Sequence, residues 1–174
     1  MESGLINKTK IYKIFFMTPL LISFSNIHLQ YQNGTILTEV IRGIDFVIHQ
    51  NERLAIVGKS GSGKTSLLML MAGLEKPTSG QIKYQDQIIT SYTEDKLTDF
   101  RKKNIGIVFQ SFYLIPNYTA LENVALSLEI NFRKNALSLA KEILIDLGLE
   151  DRLQHFPSQL SGGEQQRVAI ARAI

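Results

Sequence analysis

The sequence predicts an α/β protein: a glycine-rich loop joins a strand to a helix, after an antiparallel β region and before a helical segment. Three observations carry this. Residues 53–73 run apolar strand, glycine-rich turn, apolar helix. Residues 20–57 alternate β-rich runs with turn signals. Beyond residue 115 the apolar positions change to a helical period. With 174 residues, 44% hydrophobic and 20% charged, the chain has the size and composition of about one globular domain.

The elements follow in order. The apolar run 14–24 comes after Lys8, Lys10 and Lys13 and superficially resembles a signal peptide. It has no small-residue cleavage site and is shorter than the roughly 20 apolar residues that span a bilayer. It is expected to open the sheet with a first strand within residues 20–31. Residues 1–16 are then an extension outside the fold, Met17 is the start of translation, the folded domain is 17–174, and no membrane span is present. Residues 21–31 and 36–48 read as strands joined by a tight turn at Asn33 and Gly34, and residues 49–52 as a second turn. Residues 53–57 read as a buried parallel strand. Residues 64–72 read as a helix ended by Gly73. The turn residues 77–80 return the chain to a strand at 81–84. Residues 104–109 form a short apolar run, expected as another buried strand, ending at Gln110. Leu137, Ala140, Leu144 and Leu147 share one helix face before Gly148 stops it. The helical segment spans about 115–160.

Composition excludes several chemistries. There is no cysteine, hence no disulfide, thiol catalysis or cysteine metal site. Net charge is +3, and Arg101, Lys102 and Lys103 form the one dense basic cluster. Without a basic stripe or stacking aromatics this reads as a solvated helix end, so no nucleic-acid partner is expected. His28, His49 and His155 are expected as surface or turn residues.

Two motifs carry the chemistry. Gly58, Lys59, Ser60, Gly61, Ser62, Gly63, Lys64 and Thr65 match G-x-x-x-x-G-K-[ST]. Gly58, Gly61 and Gly63 are expected at positive φ, letting backbone N–H groups form a concave nest for phosphate oxygens. The helix that starts near Gly63 adds its positive dipole end. Lys64 supplies a point charge for the β- and γ-phosphates and the Thr65 hydroxyl a ligand for Mg²⁺. These residues, with Ser66 beside them, are the candidate nucleotide site. The second motif is LSGGEQQR, beginning at Leu160. Ser161 and Glu164 have capping-box spacing, and Gly162 and Gly163 leave a second helix start open to an anion.

Together, the phosphate loop, the run ending in Gln110 and LSGGEQQR resemble the ATP-binding subunit of an ABC transporter, in order and spacing over about residues 20–174. Residues 106–124 further resemble the branch serving lipoprotein release and macrolide export. The resemblance implies a P-loop NTPase core with an N-terminal antiparallel β subdomain and an inserted helical subdomain. It implies ATP and Mg²⁺ as cofactors, with Thr65 and Gln110 at the metal. Gln110 would also orient the attacking water and sense the γ-phosphate, and Tyr31 would stack on adenine. Ser161, Gly162 and Gly163 would meet the γ-phosphate of ATP held by a second ATP-binding subunit in a head-to-tail dimer. Residues 112–118 would line a groove for the cytoplasmic helix of a transmembrane permease, placing the subunit in the cytoplasm at the membrane face.

The family pattern continues with an apolar strand ending in Asp, a general-base Glu and a switch His, for which these residues offer no counterpart. No stop signal ends the helix that reaches Ile174. The expectation is a C-terminally incomplete domain that binds Mg-ATP and hydrolyses it very slowly. An uncovered sheet face would also make it prone to aggregate. The alternative function is a non-hydrolysing nucleotide-binding fragment. A DNA-acting ATPase with the same motifs would need a long coiled-coil or zinc insertion between them, yet Thr65 and Ser161 lie 96 positions apart with no sustained heptads. A small-molecule kinase would leave LSGGEQQR without a role.

Overall fold

The computed structural model describes residues 10–12, 18–131 and 133–174. The chain forms two compact units, divided after Arg101. Residues 1–9 and 13–17, including the expected start at Met17, lie outside the described residues.

The first unit is built on a long hairpin of β2 (Leu20–Asn33) and β3 (Ile36–His49), to which β5 (Ser79–Tyr84) and β6 (Gln87–Ile88) add in the order β3-β2-β5-β6. Every pairing in this sheet is antiparallel. The register pairs Asn33 with Ile36, so the tight turn is Gly34-Thr35, one residue later than the sequence suggests. Gly34 takes φ 61°, as the first loop position of a two-residue hairpin requires.

Along β2 the buried side chains are Ile22 and Phe24, then Ile27 and Leu29; along β3 they are Ile41, then Ile44, Phe46 and Ile48. The even spacing breaks between Phe24 and Ile27, where a bulge shifts the register and keeps both halves of the strand facing the core. Asn26 sits at the break with φ 47°. Gly80 of β5, at φ 93°, packs so tightly against the Asn26 carbonyl that any β-carbon there would collide with it. The bulge therefore requires a glycine on the neighbouring strand.

The helix α1 (Lys64–Met71) buries Leu67 and Leu70, and Gly73 follows it at φ 65°. The next helix, α2 (Glu94–Asn104), buries Leu97 and Phe100. Arg101 is not the solvated cation its sequence suggests: its guanidinium donates to the Gly73 carbonyl (2.8 Å), Glu94 (2.6 Å) and the Thr98 hydroxyl (2.8 Å). Lys102 and Lys103 are exposed, as expected. The three histidines are each partly exposed, and His155 directly follows a turn. His28 packs its ring nitrogens toward Asn26 and Glu39 at the bulge.

Two strand expectations are corrected. The expected buried parallel strand at 53–57 is β4 (Ala55–Val57), three residues long and exposed at alternate positions, paired antiparallel with β1 (Lys10–Tyr12). Residues 10–12 are thus part of a ladder and not an extension outside the fold. Residues 105–109 belong to no strand among the described residues, and Val108 is 42% exposed. Both runs have the composition of central strands, but a central strand also needs a partner on each edge.

The second unit packs α3 (Ala120–Ile130), α4 (Ala136–Asp146) and α5 (Gly162–Ala173) around one core. Ala120, Val124, Ala140, Leu144 and Val168 are fully buried there. The small side chains at Ala120 and Ala140 let the helices approach closely. The helical unit thus extends past the expected limit of 160, because α5 supplies part of its core. On α4, Ala140 and Leu144 face inward as predicted, but Leu137 is 53% exposed and Ala136 takes its place. Gly148 ends α4 at φ 68°. Among the described residues, no helix is long and apolar enough to cross a membrane.

Asn123 is the polar hub of this unit. It is 1% exposed; its oxygen accepts from the Ile115 N–H (2.8 Å), and its amide donates to the carbonyls of Ile115 (3.2 Å), Tyr118 (3.0 Å) and Thr119 (3.0 Å). The loop before α3 has no ladder; the Tyr118 N–H makes a turn bond to the Ile115 carbonyl (3.1 Å), and this side chain adds its bonds to Ile115, Tyr118 and Thr119. Asn123→Ala should lose about 2–4 kcal/mol of stability, the cost of several backbone groups left unpaired away from water. Urea unfolding of the two proteins measures it.

Candidate nucleotide-binding site

The phosphate loop runs from the end of β4 into α1, and the backbone explains its glycines unequally. Gly61 and Gly63 take φ 76° and 87°, as expected, whereas Gly58 is not in the left-handed region. A β-carbon on Gly61 would meet nothing within 4 Å, so the loop's outer side is open to close approach. One on Gly63 would come within 3.2 Å of the Val40 side chain and carbonyl, so this glycine also lets α1 start hard against β3.

Gly63 occupies the N-cap of α1, and no side chain caps the helix. Its first-turn N–H donors, at the positive end of the dipole, have no intrahelical partner. The Lys64 ammonium curls back over the loop and donates to the carbonyls of Gly58 (3.0 Å) and Lys59 (2.7 Å). Ser62 is 5% exposed, and its N–H donates to the Lys59 carbonyl, closing the loop on itself. Lys59, Ser60 and Thr65 are exposed, and Ser66 is half-buried. An arch of backbone donors with a cation pinned across it fits the phosphate chain of a nucleotide.

Tyr31 lies on β2 in the same unit, 43% exposed, its hydroxyl donating to Glu75 at 2.7 Å. Partial burial and the Glu75 carboxylate hold the phenol above its ordinary value, opposed by a hydrogen bond with Ser66 at the start of α1. Tyr31 is thereby brought to the helix that carries the loop. Glu75, which orients it, had no signal in the sequence.

In the second unit, α5 has the capping box that its sequence spells. Ser161 is the N-cap; its hydroxyl accepts weakly from the Glu164 N–H (3.3 Å), and the Glu164 carboxylate accepts from the Ser161 N–H (2.7 Å). A β-carbon on Gly162 would meet nothing within 4 Å, and one on Gly163 only the end of Arg167. Ser161, Gly162 and Gly163 therefore present an exposed helix start that another molecule can approach closely. Arg152 adds an ion pair to Glu164 at 2.9 Å.

Gln110 is exposed, at a turn after residues 105–109. Two and three residues on, beyond Ser111, Phe112 and Tyr113 take φ 58° and 47°. Bulky side chains in that region cost about 1–3 kcal/mol each unless their surroundings impose the conformation. Arg172 of α5 meets both, donating to the Phe112 and Tyr113 carbonyls at 2.6 Å each. Sequence reasoning missed Arg172, since an arginine near a helix C-terminus ordinarily reads as surface.

A family model described as ABC transporter matches residues 41–174. The chain belongs to this family. Among curated relatives, the lipoprotein-releasing system ATP-binding protein LolD of Idiomarina loihiensis is 46% identical over 160 residues, covering 91% of this chain and 70% of the relative. LolD of Syntrophotalea carbinolica is 47% identical over 156 residues, covering 88% and 69%. The ABC ATP-binding subunit is therefore similar to the lipoprotein-release branch, which its residues 106–124 also resemble. Two solved structures of the cassette MJ0796 share its fold, each with a TM-score of 0.80. One, a dimer in a post-hydrolysis state bound to ADP and Pi, is 37% identical. The other, a dimeric structure described as a bacterial ABC transporter cassette, is 38% identical; in both, 88% of this chain aligns with 69% of the solved chain. The chain spans about 70% of the length of these relatives.

The Ser161 cap gives a pH-dependent outcome. Hydrogen bonds from the Ser161 backbone and side chain, then Arg152, pull the Glu164 carboxyl from 4.5 down to about 2. Because the folded value is depressed, the stabilisation is complete above pH 4.5 and is lost as pH falls from there toward 2. The stability gap between the protein and its Glu164→Gln variant should be constant above pH 5 and shrink on acidification. Urea midpoints compared at about pH 7 and pH 3 test this.

Proposed function

We propose that the chain binds Mg-ATP as the ATP-binding subunit of a membrane transporter, in the branch that serves lipoprotein release. The observation that carries this is the uncapped start of α1, with the Lys64 ammonium held across the open side of the loop at 3.0 and 2.7 Å from two loop carbonyls. A helix start without a side-chain cap, beside a lysine held on two loop carbonyls, is suited to an anion. A triphosphate satisfies both.

In this reading Gly58 to Gly63 and Ser66 line the phosphates, and Thr65 offers its hydroxyl to Mg²⁺, which would neutralise the β- and γ-oxygens. Lys64 exchanges loop carbonyls for phosphate. Tyr31, oriented by Glu75, offers its ring to adenine. Gln110 answers to Mg²⁺ and the γ-phosphate and orients water. Ser161, Gly162 and Gly163 serve the γ-phosphate of ATP bound by a second subunit, which their exposed and uncrowded position supports. The membrane partner is a permease whose cytoplasmic helix meets residues 112–118, where Tyr113 and Tyr118 are exposed. That partner holds the subunit at the cytoplasmic face of the membrane.

Hydrolysis also needs the attacking water to be oriented and deprotonated, and among the described residues no acidic side chain stands at the end of an apolar strand. The 174-residue chain by itself should turn ATP over very slowly, so binding is the decisive assay. Lys64→Ala should weaken Mg-ATP binding about 10- to 150-fold, the worth of a charged hydrogen bond of roughly 1.5–3 kcal/mol. A calorimetric titration in which the variant binds as well as the parent would rule out the loop as the phosphate site.

A further inference from the structure

The segment that carries Gln110 is fastened to α5 at two points, neither of them among the proposed contacts with nucleotide. At the first, Gly106 packs against the carbonyl of Ala173 at the end of α5, so closely that no other residue fits. At the second, the Arg172 guanidinium spans two consecutive carbonyls, Nη1 to Tyr113 and Nη2 to Phe112, both at 2.6 Å. Those carbonyls converge because Phe112 and Tyr113 are both left-handed. The turn is closed further by the Phe112 N–H on the Phe109 carbonyl (3.0 Å) and by the Phe109 and Tyr113 rings meeting edge to face at 5.2 Å. Gln110 lies inside this turn. A fork with two parallel donors suits such a pair of acceptors; a single ammonium does not.

We propose that Arg172 is a positioning residue for Gln110. It locks the turn around Gln110 to the last turn of α5, whose first turn carries Ser161, Gly162 and Gly163. The turn and the helix then shift as one piece, and a displacement of Gln110 reaches the opposite end of α5 without an intervening flexible joint. This rests on the reading of Gln110 as the residue that answers to the γ-phosphate, so its test separates the two ideas.

The test uses the full chain with Arg172→Ala, Arg172→Lys, Gln110→Ala and the Arg172→Ala/Gln110→Ala pair. Hydrogen exchange without nucleotide reads the clamp. Arg172→Ala should speed exchange at residues 111–114 about tenfold or more while the amides of α3 and α4 keep their protection. Titration with Mg-ATP and Mg-ADP reads the consequence. The preference for ATP should fall about tenfold, to the level of Gln110→Ala, and the double variant should fall no further, as residues acting through one another require. Arg172→Lys keeps stem and charge and should fold normally, yet not restore the preference. Unchanged exchange at 111–114 overturns the proposal. So does an equal loss of ATP and ADP affinity, or losses from Arg172 and Gln110 that multiply. If Arg172→Ala does not fold, Arg172→Lys carries the same comparisons. If the parent chain binds neither nucleotide, the reading of the loop fails, and the exchange experiment still decides the clamp.

Discussion

A helix must find partners for the N–H groups of its first turn, and α1 is built so that no side chain supplies them. Most of the first unit can be understood from that constraint. The start of α1 sits where a glycine allows it to press on β3, within reach of the Val40 carbonyl for any larger residue. β3 is held in place by its long antiparallel pairing with β2 and by the stacked rings of Phe24 and Phe46, 4.4 Å apart. The bulge at Asn26 keeps those strands facing the core, and Gly80 keeps the bulge. The sheet thus presents a helix start without a side-chain cap, with the Lys64 ammonium held on the Gly58 and Lys59 carbonyls beside it.

The second unit solves a different problem. It orders segments that have no ladder or helix of their own, and it does so with single polar side chains reaching backbone groups. Asn123 serves residues 115–119, and Arg172 serves the turn around Gln110. Asn123 is the buried one, costly to break because the groups left behind are cut off from water; Arg172 acts nearer the surface through its paired donors. The apolar core of alanines, leucines and valines brings α3, α4 and α5 together; these two side chains order the segment that leads into α3.

What was legible in the sequence follows the range of the interactions involved. The phosphate loop, the capping box at Ser161, the stop at Gly73 and the hairpin are local, and residues a few positions apart determine them. The strands expected at 53–57 and 104–109 were misjudged because apolar composition reports a preference for burial, whereas a strand exists only with neighbours. The role of Gly58 was misjudged because three glycines in one motif look alike, although only Gly61 and Gly63 adopt the left-handed backbone. Arg101, Arg172 and Glu75 were opaque for a common reason. Each acts on a partner 28 to 60 positions away, and nothing in the local pattern distinguishes such a residue from a solvated charge.

The bond between Tyr31 and Glu75 has one more effect. A phenol tied down at its hydroxyl has already given up the rotation of its ring axis when the chain folds. In the proposed function the face of the ring is then a standing platform, and a flat heterocycle would not meet the entropy of organising it. An aromatic side chain that swung freely at the strand edge would charge that entropy to every binding event. In the proposed role of Tyr31, the readiness of that ring is set by Glu75, an acidic side chain outside its own strand.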